Sequence, residues 1–135
     1  MALKIQLAVG ESVLIGKARV ANGGNARCVL VVTGDEKILR GGLIMLEEEA
    51  TTPVKRLYFT VQGIYLADSE DELFPLYHEL SRTVTITYPF MNLAICDISM
   101  LILSGQYFEA LIKTHDLIKA EQDFLEASTP KEETA

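Results

Sequence analysis

Two histidines, two cysteines, one dense acidic run and two glycine pairs are the places in this chain where catalysis or ligation could reside. His78 and His115 both sit beside apolar residues at helical spacing. A metal site or a histidine base needs a second ligand or an orienting carboxylate in reach, and neither residue has a ligand partner at i±3 or i±4. Both are expected to be partly packed helix residues. Cys28 and Cys96 offer neither a disulfide framework nor a zinc spacing, so they are expected to be small buried apolar residues in a reducing compartment. The run Asp68-Ser69-Glu70-Asp71-Glu72 lacks the alternating ligands and the sixth-position glycine of a calcium loop and predicts a solvated helix start instead. Gly23-Gly24 and Gly41-Gly42 are not followed by the Lys-Ser/Thr of a phosphate loop; a hairpin turn and a strand exit are expected there. With no nucleophile–base pair and no carboxylate cleft legible from spacing, the expectation is a protein that is not an enzyme and holds no metal or cofactor.

What remains is binding chemistry carried by cations. The chain has 135 residues and a net charge of −7, which argues against a nucleic-acid partner on average. The average conceals an asymmetry. Residues 1–46 carry six bases (Lys4, Lys17, Arg19, Arg27, Lys37, Arg40) against three acids, a net of +3. Residues 47–135 carry the other six bases against sixteen acids, a net of −10. A basic N-terminal third and an acidic remainder are expected to do separate jobs. Lys4, Arg19, Arg27 and Arg40 could present charge to RNA or simply keep a sheet face solvated. Lys55 and Arg56, a basic pair in the acidic part, are either a solvated helix start or a contact for a partner or RNA.

The elements that must position these residues follow from periodicity. Leu3, Ile5 and Leu7 alternate with Lys4 and Gln6, and further short strands are expected at 12–15, 17–20, 27–33 and 37–40, punctuated by glycines. Asn22-Gly23 is a hairpin signal. Residues 1–46 therefore predict a small antiparallel β module, a sheet or a barrel-like sandwich. About 42 residues bury too little surface alone, so this module should lean on a second copy or on the helices C-terminal to it.

Residues 47–126 change to a helical rhythm, which makes the fold class α+β: about five short strands, then about four helices. Thr51-Thr52-Pro53 opens the first helix, with Val54, Leu57, Tyr58, Val61, Ile64 and Tyr65 as its stripe. A second helix is expected from near Asp71, with Ser69 and Glu72 as a capping box and Leu73, Leu76, Tyr77 and Leu80 buried. A third runs from Thr87-Tyr88-Pro89 through Phe90, Leu93, Ile95, Ile98, Leu101 and Leu103 to a left-handed cap at Gly105; being apolar almost all round, it is expected at the centre. A fourth buries Phe108, Leu111, His115, Ile118 and Leu125, with a Glu109–Lys113 pair on its outer side. The tail at 127–135 has nothing to bury and is expected to be disordered. No stretch approaches the ~18 apolar residues of a membrane span, and the N-terminus lacks the apolar core of a signal peptide, which together suggest a cytoplasmic protein that engages no membrane.

The stretch Val9-Gly10-Glu11-Ser12-Val13-Leu14-Ile15-Gly16 resembles the Gly-Glu-x-x-x-Ile-Gly signature of the carbon storage regulators, small RNA-binding proteins, and Ile38-Leu39-Arg40 falls where they have Val-His-Arg. More of the chain resembles the flagellar biosynthesis repressor family FlbT. The matching residues are Leu7 to Glu11, Asn22-Gly23, Ile38-Leu39-Arg40, Glu49-Ala50-Thr51-Thr52-Pro53-Val54-Lys55-Arg56-Leu57-Tyr58-Phe59 with Gln62, then Tyr88-Pro89-Phe90 and Leu103-Ser104-Gly105-Gln106-Tyr107. That resemblance implies a post-transcriptional regulator that associates with the 5′ untranslated region of flagellin messenger RNA and promotes its decay, in opposition to a companion protein, FlaF. The carbon storage resemblance implies an RNA site made by the first strand of one chain beside the last strand of another. It would unite Lys4 and Gln6 with Arg40 and imply a homodimer through the N-terminal strands. A protein-binding adaptor or chaperone-like partner of flagellin or FlaF is the alternative reading.

Overall fold

A computed structural model describes residues 2–67 and 72–128. It has the expected α+β order of five strands and four main helices: β1 (Ala2–Leu7), β2 (Ser12–Ile15), β3 (Ala18–Ala21), β4 (Cys28–Thr33), β5 (Ile38–Arg40), α1 (Pro53–Leu66), α2 (Leu73–Thr87), α3 (Asn92–Leu103) and α4 (Tyr107–Ser128). The strands form two antiparallel sheets, β1-β4 and β3-β2-β5.

Alternation along the strands explains the layering. Ile5 and Leu7 of β1 meet Val13 of β2 in a small core, joined by Ile15, Val20, Cys28, Leu30, Val32 and Ile38. The neighbouring residues Leu14 and Leu39 point the other way, into the helical core. The three-stranded sheet is thus apolar on both faces, covered by the two-stranded sheet on one side and by helices on the other, which is how so short a β module obtains sufficient burial. The Gly10-Glu11 of the signature makes the β1–β2 turn: Gly10 has φ +78°, and the Glu11 carboxylate accepts from the Ala8 N–H at 3.1 Å.

The hairpin signal was misplaced. Asn22-Gly23 does not join two paired strands, because β3 pairs with β2 and β4 with β1. The tight turn lies instead at Gly16-Lys17, between β2 and β3, with Gly16 at φ +56°. Asn22 is a buried loop pin. Its amide donates to the carbonyls of Leu7 at 3.1 Å and Ala26 at 2.9 Å, and its oxygen accepts from the Gly24 N–H at 3.0 Å. A side chain that can replace so many backbone partners wins over local turn propensity.

Thr52 caps α1, its hydroxyl oxygen accepting from the Lys55 N–H at 3.2 Å, and Pro53 occupies the first helical position. α1 is the central helix; it packs against both α2 and α4 and buries Val54, Leu57, Tyr58, Val61 and Ile64. The expectation for α3 fails. One 3-10 turn, Pro89–Met91, precedes it, and it lies at the surface with Leu93 80%, Met100 67% and Leu103 79% exposed. Apolar composition all round gives a helix no preferred inward face, and only Ile95, Ile98 and Ile102 are buried, with Leu101 packed beside them. Gly105 closes α3 at φ +77°, with Gly105 N–H donating to the Ile102 carbonyl and Gln106 N–H to that of Leu101, a Schellman pair.

Two of the smaller departures, at Ser81 and Thr114, share a cause, namely polar groups that satisfy themselves and so can be buried. α2 buries Tyr77, Ser81 and Val84 and leaves Leu76 exposed; Ser81 donates to the His78 carbonyl. α4 buries Ala110, Leu111, Thr114 and Glu121, whereas Phe108 and Leu125 are exposed. Thr114 donates to the Ala110 carbonyl at 2.7 Å. Lys113 pairs with Asp97 of α3 at 3.8 Å rather than with Glu109. Cys28 is half-buried and Cys96 exposed, not buried; His115 is half-buried, while His78 is exposed. α2 starts at Leu73, near the expected start, and Asp71 and the expected capping residue Ser69 lie outside the described residues. α4 continues through Ser128, two residues into the expected tail, and 129–135 are not among the described residues.

Candidate nucleic-acid interface

Alternation on β1 turns Lys4 and Gln6 outward, since Ile5 and Leu7 turn in. Their partners in register are Val31 and Val29, so the outer face of the two-stranded sheet places one ammonium and one amide beside two exposed valines and Thr33. An ammonium can meet a phosphate, and an amide can read a base edge. Arg19, on β3, is exposed and donates from Nε to Ser12 Oγ at 3.2 Å, a diagonal cross-strand contact that orients its guanidinium. Arg27 is exposed just before β4.

Arg40 is the last residue of β5, opposite Val13, and is exposed. The chain on both sides of it is held by one face of α1. Tyr65 donates to the Ile38 carbonyl at 3.4 Å and Tyr58 donates to the Leu43 carbonyl. Gln62 accepts from the Met45 N–H at 2.8 Å and donates to the Met45 carbonyl at 3.0 Å. Residues 58, 62 and 65 are spaced i, i+4, i+7, one stripe of a helix, and all three grasp main chain. Burial raises the Tyr58 and Tyr65 hydroxyls above the ordinary tyrosine value, which keeps both protonated and able to donate.

Arg40 is thus set on a strand end whose flanks are anchored, while Lys4 and Gln6 lie in the other sheet. Within one chain β1 and β5 are not neighbours: β1 adjoins β4 and β5 adjoins β2. Each is an edge strand with one unpaired side. Lys55 is half-buried and Arg56 exposed at the start of α1; Lys55 lines a shallow cavity of about 180 Å³ with Thr52, Glu121 and Leu125.

The cavity wall holds a residue that motif reading passed over. Glu121, 1% exposed, accepts from the Thr52 hydroxyl, from the Val54 N–H at 3.2 Å and from the Tyr88 hydroxyl at 2.8 Å. A buried carboxylate is tolerated because three donors and the positive end of α1 surround it. Burial first, and then the bond to Glu121, push the Tyr88 hydroxyl up to about 12. Thr52-Pro53-Val54 and Tyr88-Pro89, far apart in sequence, converge on this carboxylate. Spacing from Leu111 through Thr114 and Ile118 to residue 121 was the available signal. Among the described residues, no group of three His, Cys, Asp or Glu side chains could hold a metal ion, and no helix is long and apolar enough to cross a membrane.

The family model described as flagellar protein FlbT matches residues 3–125. A probable flagellum biosynthesis repressor protein FlbT of Rhodopseudomonas palustris (strain TIE-1) is 34% identical over 125 residues, covering 93% of this chain and 98% of that protein. A probable FlbT repressor of Caulobacter sp. (strain K31) is 32% identical over 130 residues, 93% of this chain and 97% of its own. The flagellum biosynthesis repressor protein FlbT of Caulobacter vibrioides (strain ATCC 19089 / CIP 103742 / CB 15) is 31% identical over 130 residues, 93% and 90% of the two chains. No solved structure matches the chain. The helix-start, turn and cap residues Gly10, Thr52, Pro53, Tyr88 and Gly105 lie within the matched span, and on this whole-length similarity the chain belongs to the FlbT family of flagellar proteins.

Proposed function

We propose that this chain represses flagellum biosynthesis in the cytoplasm by associating with the 5′ untranslated region of flagellin messenger RNA through its β module and promoting degradation of that RNA. The names of the relatives support the repressor role. The observation that carries the RNA step is the exposed guanidinium of Arg40 on an edge strand whose flanks are fixed by Tyr58, Gln62 and Tyr65, in the part of the chain that is net positive. A guanidinium so placed suits phosphate or a guanine edge, and fixing its backbone beforehand lowers the ordering cost of binding. Lys4, Gln6, Arg19 and Arg27 are the accompanying contacts, with Lys55 and Arg56 a secondary contact. Pairing of the edge strands β1 and β5 between two chains would bring Lys4 and Gln6 to Arg40. The test is retardation of flagellin leader RNA by the purified protein. Arg40→Ala should weaken binding by about 1–3 kcal/mol, and affinity should fall as salt rises. Absence of retardation at low salt overturns the reading.

A second reading, a protein-binding adaptor for flagellin or FlaF, is favoured by the adjoining, mutually tilted rings of Phe90 and Phe124, 5.2 Å apart and 57% and 40% exposed. It predicts co-purification that survives Arg40→Ala and is lost in Phe90→Ser.

A further inference from the structure

The outward face of α3 carries Leu93, Cys96, Met100 and Leu103, all exposed. Their spacing is three, four, three, the seam of a two-helix coiled coil. We infer that this seam joins two copies of the chain in an antiparallel, two-fold symmetric α3–α3 pair. The proposal goes beyond the RNA reading and does not depend on it.

Three observations select a second copy as the occupant. The spacing reads the same from either end. An antiparallel mate centred on residue 98 therefore sets Leu93 against Leu103 and Cys96 against Met100, and the two end leucines are almost equally bare at 80% and 79%. A self-complementary patch of this kind is what an isologous contact requires. Charge is the second. Two chains of net −7 repel on average, so a face without like charge favours their close contact. α3 has one charged residue, Asp97, and it is already paired with Lys113. The other helices carry unlike and unbalanced charges, where a charged partner would find its match. The third is area. Leu93, Met100 and Leu103 are 80%, 67% and 79% exposed, a patch smaller than the ~800 Å² that each partner of a standard interface buries, so the association is expected to be weak.

The experiment is sedimentation equilibrium of the full chain up to about 300 μM. The wild type should self-associate to a dimer, more tightly as salt rises, because apolar burial drives it and like charge opposes it. Leu93→Glu with Leu103→Glu should weaken the dimer at least about tenfold with an unchanged helical circular dichroism spectrum, since both side chains already lie in water. A second measurement fixes the register. In a Cys28→Ser background, Met100→Cys should form a covalent dimer with the Cys96 of the other copy under mild oxidation. Cys96 alone should not, because the two Cys96 positions are offset by four residues, about 6 Å along the helices, on top of the interaxial distance. A monomer throughout the range, a dimer indifferent to the paired glutamates, a dimer weakened by salt, or equal cross-linking through Cys96 alone overturns the proposal.

Discussion

The carboxylate of Glu121 and the hydroxyl of Tyr88 meet at 2.8 Å in the interior, joining α4 to the turn that opens α3, and the same carboxylate reaches the first turn of α1. Three elements are thereby tied at a single anion. Removing the anion strands its donors. Glu121→Ala is expected to cost about 3 kcal/mol, with Glu121→Gln costing less because its oxygen still accepts. Urea midpoints check this, and a loss below about 1 kcal/mol for Glu121→Ala would show that water satisfies the site instead.

The raised Tyr88 hydroxyl makes a pH prediction with a definite sign. A free tyrosine ionises near 10, whereas folding holds Tyr88 neutral up to about 12. The stabilisation is complete below pH 10 and disappears as pH rises from 10 to 12. Tyr58, Tyr65 and Tyr77 are raised as well, so the wild-type decline is collective. Tyr88→Phe should lower stability by about 1 kcal/mol at pH 7 and make the decline above pH 10 shallower than in the wild type. Parallel urea titrations at pH 7, 10 and 11.5 give the comparison; identical slopes for both proteins would refute it.

Gln62→Leu removes both bonds to Met45. The effect should be local: amide exchange at Ile44 and Met45 accelerates by at least about tenfold, while that of Ile5 in β1 is unchanged. If Arg40 acts on RNA as proposed, the same variant lowers RNA affinity without removing a charge. Equal protection of Met45 in both proteins would mean that the grip is not holding.

Gly105→Ala tests the cap of α3. No atom lies within 4 Å of an added Cβ, so the cost comes from the backbone at φ +77° alone, about 1 kcal/mol, with Gly105→Asn costing less. Thermal unfolding of the two variants should rank them in that order.

Much of the fold was legible because it rests on local chemistry. The strand at 12–15, the expected strand at 37–40 to within one residue, the Thr52 cap, Pro53 and the Gly105 stop each follow from a residue whose backbone preference leaves little choice. Illegible were the features decided by distant partners. Asn22 looked like a turn residue because its role depends on the carbonyls of Leu7 and Ala26. Glu121 was passed over because two of its donors lie 67 and 33 residues away. α3 looked central because composition reports how apolar a helix is, not whether the chain supplies enough surface to cover it. Arg40 and Lys4 could be nominated from charge, but their assignment to different sheets required the pairing.

The hydrogen bonds of α1 to the stretch between sheet and helices fall on peptide groups of Ile38, Leu43 and Met45, while the side chains of Leu43 and Met45 pack against the helical core by apolar contact alone. Mutational tolerance should therefore be lopsided across this junction. The gripped positions can exchange one apolar residue for another with the attachment intact, whereas Tyr58 and Gln62 have no substitute that reaches the same atoms. A library randomised across both halves would register that imbalance as a run of permissive sites facing a rigid pair.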